Sequence, residues 1–221
     1  IVEDVIWSAS KDKYLKPKIK IKEIVCDGSK IQYVTGFNAK FINDNKIGPG
    51  SILKVGLSGG VIPHVFEILN TSTMCCGKMP DKSVIGDYDW NESGIDIILL
   101  KETNEVLFKK TLIFLKSLDI DSIGEGTLKN IFMDDSITSI TDILLLNEEQ
   151  FVSYPKIGKK KANLIISSFK SKLSIGGLVE YMYGSQIFNR NFGMKRLHTI
   201  LKDIGRQNAI LFKNMWNTPK I

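Results

Sequence analysis

The chain has 221 residues, 43% apolar and 24% charged, with 30 Lys+Arg against 24 Asp+Glu and a formal net charge of +6. That balance is average for a chain with a packed core and excludes disordered and collagen-like classes. No apolar run approaches the roughly 18 residues of a membrane span, and Ile-Val-Glu-Asp at the start lacks the basic flank of a secretory leader.

Up to about residue 72 the sequence reads as five short strands, over 5–9, 17–25, 30–42, 51–57 and 64–69. Turn chemistry separates them at Asp27-Gly28-Ser29, Asn43-Asp44-Asn45, Gly48-Pro49-Gly50 and Gly59-Gly60. Five strands in so short a stretch, with no room for a second sheet, predict an OB-fold, a five-stranded Greek-key barrel, over 1–72. In the second strand Lys16, Lys18, Lys20 and Lys22 alternate with Pro17, Ile19 and Ile21, so all four lysines share one face. Such a stripe either tracks a phosphate backbone or protects a sheet edge from pairing.

Residues 73–100 form a short insert that starts Thr-Met-Cys-Cys-Gly, and Tyr88, Trp90 and the run 95–100 are expected to give it a small apolar core. From 101 onward the spacing of Leu107, Leu112, Leu115, Leu118, Leu164, Ile165 and Phe169 turns helical. The region 101–221 is therefore expected to be an all-α domain, which makes the chain a multidomain β-then-α protein.

Three places in that half repeat one design, a hydrophobic-Gly turn opening a helix: Asp121-Ser122-Ile123-Gly124, Lys156-Ile157-Gly158-Lys159-Lys160-Lys161 and Arg190-Asn191-Phe192-Gly193-Met194-Lys195-Arg196. Gly124, Gly158 and Gly193 recur at near-constant spacing, which marks an internal repeat. Glycine is expected there for a turn conformation that other residues reach only at a cost, and for close backbone approach to a ligand. The free amides of the next helix then bind an anion. This is the helix-hairpin-helix design, which holds DNA phosphates without reading bases. Charge agrees: residues 151–221 carry 13 basic and 2 acidic side chains, whereas 101–150 carry 5 and 10. The expected DNA contacts are the four lysines of the stripe, Gly59 in the turn after strand four, and Ser122, Gly124, Lys156, Gly158, Lys159, Lys160, Lys161, Arg190, Asn191, Gly193, Lys195 and Arg196.

These residues resemble the C-terminal half of the bacterial-type NAD+-dependent DNA ligases, where an OB-fold precedes a four-cysteine zinc finger and a helix-hairpin-helix domain. Ser58-Gly59-Gly60-Val61-Ile62-Pro63 is similar to the family's Ala-Gly-Asp-Val-Ile-Pro segment, and Leu118-Asp119-Ile120-Asp121-Ser122-Ile123-Gly124-Glu125 to its first hairpin. Leu57 and Gly60 replace the family's Arg and Asp. The zinc finger is reduced to Cys75-Cys76 with no second pair, so no metal site is expected. No Lys-x-Asp-Gly adenylation motif and no Gly-rich nucleotide loop occur, so no catalytic residue and no bound cofactor are assigned to this chain.

The resemblance implies a chain that clamps duplex DNA at a nick for an adenylation domain elsewhere, inactive alone, in an enzyme that uses NAD+ and Mg2+ to join a 3′-hydroxyl to a 5′-phosphate. The start at Ile1 fits a piece of a longer polypeptide or a separate subunit. Three cysteines, too few and ill-placed for paired bridges, fit an intracellular location, in a bacterial host or a virus-infected cell. The main alternative is a non-enzymatic DNA-binding module that recruits another repair or replication enzyme. A third reading, an RNA-binding barrel, would stack bases on Tyr33, Phe37 and Phe41.

Overall fold

Strands β1 (Val2–Ala9), β2 (Tyr14–Cys26) and β3 (Ser29–Thr35) form an antiparallel meander in a computed structural model of the chain, which describes residues 1–72, 77–188 and 191–204. Period two decides its faces: Leu15, Pro17, Ile19 and Ile21 of β2 are buried, and the alternating lysines point away. The β2–β3 turn is the two-residue Asp27-Gly28, with φ of 48° and 77°, the backbone twist that suits a tight hairpin.

The third strand is shorter than its sequence pattern predicts. It ends at Thr35, and a helix, α1 (Ala39–Asp44), replaces the rest of the expected 30–42 strand. Asn38 decides this: its side chain accepts the Phe41 amide at 2.8 Å and caps the helix, while Ala39 and Ile42 become fully buried. Strands β4 (Ile52–Ser58) and β5 (Ile62–Asn70) then make a hairpin whose tip holds Gly59 and Gly60 at φ of 59° and 76°. The Val2 amide donates to Ser51 O at 2.8 Å and the Gly50 amide to Val2 O at 2.9 Å, while β5 runs beside β3. The result is a curled antiparallel half-barrel around Val5, Ile19, Ile31, Val34, Ile42 and Val65.

The segment 73–100 adds to this body. After α2 (Lys82–Ile85), β6 (Tyr88–Trp90) pairs with β7 (Ile97–Leu99), and β7 pairs with Tyr14 and Leu15 of β2, so β6 and β7 join the sheet of β1, β2 and β3. Ile97 and Leu99 are buried with Ala9, Leu15, Ala39 and Val106, as an apolar core there requires, but Trp90, Ile95 and Leu100 stay exposed. Gly77 is needed for close approach: a Cβ there would stand 2.1 Å from Ile42 O.

The chain divides into two compact units, 1–106 and 107–221. The second is helical: α3 (Asn104–Ser117), which starts at the division, α4 (Glu125–Ile131), α5 (Ile140–Leu144), α6 (Glu148–Ser153), α7 (Lys159–Ile175), α8 (Leu178–Gly184) and α9 (Met194–Ile204). Ala162, Ile165 and Phe169 of α7, at helical spacing, meet Leu128, Ile131, Ile143 and Phe151 in one core. Each such fully buried large side chain contributes roughly 1.5–3 kcal/mol. The starts of α5 and α6 close on themselves, since Ser139 with Asp142 and Asn147 with Gln150 make reciprocal capping boxes.

Candidate nucleic-acid interface

Against those self-capped helices, α4 and α7 begin differently. Gly124 and Gly158 are their N-caps, and neither start carries a side-chain cap. The first helical bond of α7 runs from the Ala162 amide to Gly158 O at 3.0 Å, which leaves the amides of Lys159, Lys160 and Lys161 without intrahelical acceptors. Helix α9 repeats the arrangement, with the Leu197 amide donating to Gly193 O at 3.1 Å.

The reason for glycine differs from the sequence expectation. Gly124 and Gly158 have φ of −81° and −92°, extended backbone open to any residue. A Cβ on Gly124, Gly158 or Gly193 would meet nothing within 4 Å, whereas Gly176, Gly177 and Gly184 are hemmed in by neighbouring atoms. Neither conformation nor packing among the described residues demands glycine at the three turns. What glycine leaves there is bare backbone facing open space. The left-handed strain sits instead at Lys156, with φ of 65°.

The hairpins differ in charge. In α7, Lys159 and Lys160 are exposed, and Lys161 donates to Thr127 Oγ1 of α4 at 2.9 Å. Thr127 and Lys161 hold the same third position in their helices, so this bond joins the first turns of the two hairpins; the spacing of the glycines was the signal for it, though not for the partner. Three lysines at a helix N-terminus oppose the helix dipole, a local conflict of charge. In α4 the first turn carries Glu125, paired with Lys129 at 3.1 Å, and the preceding Asp119 pairs with Lys172. Ser122 Oγ is buried without a hydrogen-bond partner among the described residues. The first hairpin thus has a packing character and the second a basic one. Tyr154, just before the second turn, donates to Asp134 Oδ2 at 2.7 Å; burial first and then this carboxylate push its phenol up to about 12.

At the third hairpin Asn191, Gly193, Lys195 and Arg196 are exposed, and the Arg196 guanidinium lies 5.1 Å from the Phe192 ring centroid. Its Nη1 donates to Asn191 O at 3.2 Å. Arg190, like Cys75 and Cys76, lies outside the described residues.

In the first unit the lysine stripe is only partly available. Lys16 pairs with Asp96 at 2.7 Å and Lys20 with Glu3 at 2.9 Å, a hydrogen bond that raises the Lys20 pKa. Lys18 rests 4.3 Å over the Tyr33 ring, and Lys22 is exposed with no ion pair among the described residues. Gly59 is exposed at the hairpin tip. Tyr33, Phe37 and Phe41 do not line one sheet face: Phe37 is in a loop at φ of 57° and Phe41 is on α1. Among the described residues no group of three His, Cys, Asp or Glu side chains converges to hold a metal, and no helix is long and apolar enough to cross a membrane.

No family model matches the chain. Over 203 residues, 91% of the chain, it is 33% identical to a DNA ligase of Acanthamoeba polyphaga mimivirus, of which it covers 31%. It is 25% identical over its whole length to a DNA ligase of Hydrogenobaculum, covering 31% of that protein, and 24% identical over 176 residues to one of Leptospira interrogans, covering 26%. The chain spans less than a third of the length of these relatives. Along most of its length, then, this chain is related to viral and bacterial proteins named DNA ligase.

Proposed function

We propose that the chain is the DNA-clamping part of an NAD+-dependent DNA ligase. The observation that carries this reading is the start of α7: an uncapped helix N-terminus, opened by a glycine that nothing among the described residues requires and followed by two exposed lysines. Backbone amides, helix dipole and ammonium groups there converge on one anion, and a phosphate of duplex DNA fits it. The third hairpin adds Lys195 and Arg196. The first braces the second through Thr127.

The first unit is read as an OB-fold that meets the duplex near the nick. Supporting this are the order β1, β2, β3, α1, β4, β5, the placement of β5 beside β3, and the bonds that tie the residues before β4 to β1. Lys18, Lys22 and Gly59 are its most accessible candidates.

No site for NAD+ or a catalytic metal is assigned to this chain: it has no Lys-x-Asp-Gly, and among the described residues no three His, Cys, Asp or Glu side chains converge. The adenylation lysine would lie in another domain or subunit, and the complete enzyme would use NAD+ and Mg2+. Joining a 3′-hydroxyl to an adenylated 5′-phosphate depends chiefly on alignment and charge neutralisation, and alignment is what two phosphate-gripping units supply.

Two experiments test the reading. Mixing the chain with nicked DNA, NAD+ and Mg2+ should give no joining until an adenylation domain from the same genome is added; binding without joining in that mixture favours the non-enzymatic module. Gly158→Asp should leave the melting temperature unchanged or higher, because Asp caps helices well and its side chain has open space there. The same carboxylate should repel the phosphate and weaken duplex binding on the order of tenfold or more. Undiminished binding would remove the hairpin from the interface.

A further inference from the structure

Helix α7 continues far beyond the hairpin. It runs 17 residues, and its buried stripe faces the core of the second unit. Its exposed flank carries a shallow groove of about 800 Å³ lined by Lys160, Lys161, Asn163, Leu164, Ile166, Ser167 and Lys170. No acidic residue occurs in α7. Lys160 and Lys170 make no ion pair among the described residues, while Lys172 is taken by Asp119. Between the two free ammonium groups Leu164 is 59% exposed, an apolar side chain that folding leaves uncovered. Ser167 donates its hydroxyl to Leu164 O at 3.0 Å and so keeps the floor small and uncharged.

The order along the helix is cation, apolar, cation. At 1.5 Å per residue, Lys160 and Lys170 stand about 15 Å apart along the axis. A sugar–phosphate backbone carries anions and apolar sugar faces, and a span of about 15 Å takes in more than one sugar–phosphate repeat, so the two ammonium groups would meet non-adjacent phosphates with Leu164 against a sugar between them. Lys160 also borders the Gly158 turn, so a strand leaving the turn's amides meets the groove without a break.

We propose that this flank of α7 is a second DNA contact, which grips the sugar–phosphate backbone of one strand beyond the hairpin. Phosphates sit at Lys160 and Lys170, the Asn163 amide donates to a phosphate oxygen, and a deoxyribose packs on Leu164. The proposal rests on the reading that the Gly158 turn binds duplex DNA, and its test separates the two.

The full chain and its variants are titrated with a fluorescent nicked duplex over a range of potassium chloride concentrations, and the complexes are mapped by hydroxyl-radical footprinting. Lys170→Ala should lower the salt slope by about 1. Leu164→Asp should lower affinity on the order of tenfold. Both should shorten the protected stretch on one strand only. Both side chains are exposed, so circular dichroism should confirm an unchanged helix content. If Gly158→Asp weakens binding while Lys170→Ala and Leu164→Asp keep the parental slope and footprint, the groove contact is overturned and the groove is left to a protein ligand. If Gly158→Asp itself binds like the parent, the hairpin reading fails first.

Discussion

Lys156 and Tyr154 show how single residues shape the second hairpin. Lys156 holds φ of 65°, a conformation that costs an L-residue about 1–2 kcal/mol. Lys156→Gly should therefore raise stability, by up to about 1 kcal/mol once the added freedom of the unfolded chain is counted. It should also lower the salt slope of DNA binding by about 1, if the ammonium group is part of the grip. Thermal melts and anisotropy titrations read the two effects separately. Tyr154 links the turn to Asp134, whose carboxyl is held below its usual value by hydrogen bonds from Ser136 and Tyr154. A depressed carboxylate adds stability that is present above its ordinary value of 3.8 and lost as pH falls through the folded value. The phenol, raised to about 12, adds stability that is present below its ordinary value of 10.0 and lost as pH rises toward 12. Tyr154→Phe should cost about 1 kcal/mol near neutrality and make both the acid and the alkaline loss of stability shallower.

At the scale of elements, the helix starts differ in how they are capped. Asn38, Asp81, Ser139 and Asn147 cap α1, α2, α5 and α6 with their own side chains, while α4, α7 and α8 open at glycine with none; Glu180 crowds Gly177 of α8, whereas Gly124 and Gly158 face open space. A side-chain cap uses an amide that an uncapped start leaves without a partner in its own helix. Glycine also serves the opposite purpose. Gly77 is buried against the backbone of α1, and a methyl group there would press on Ile42 O, an atom that cannot rotate away. Gly77→Ala should destabilise the first unit by about 1–3 kcal/mol or more, seen as a lower melting temperature, where substitution at Gly158 should not.

Across the whole molecule, charge follows the division into units. Residues 1–106 carry 13 basic and 14 acidic side chains, and residues 107–221 carry 17 and 10, so the net +6 is −1 in one unit and +7 in the other. Counterion release scales with the phosphates that a protein neutralises. If the chain is divided between Val106 and Leu107, the second part should keep most of the salt slope of the intact chain and the first part little of it. Equal slopes for the two parts would shift the main electrostatic grip to the half-barrel.

Much of this was legible in the sequence because it is local. Alternation alone placed Lys16, Lys18, Lys20 and Lys22 on one face, and the spacing of Gly124, Gly158 and Gly193 located three helix starts. Periodicity reads which way a side chain points; it does not read what that side chain meets. Only the tertiary structure decided that Glu3 and Asp96 neutralise two lysines of the stripe, and that Thr127 takes Lys161. It also ended β3 at Thr35 and started α1 after Asn38, because burying Ala39 and Ile42 outweighs the strand pattern of 30–42. The glycines divide the same way. Their positions are sequence facts, but whether glycine serves a turn, a close contact or an open face depends on neighbouring atoms distant along the chain, and only the folded backbone brings those atoms near or leaves the space empty.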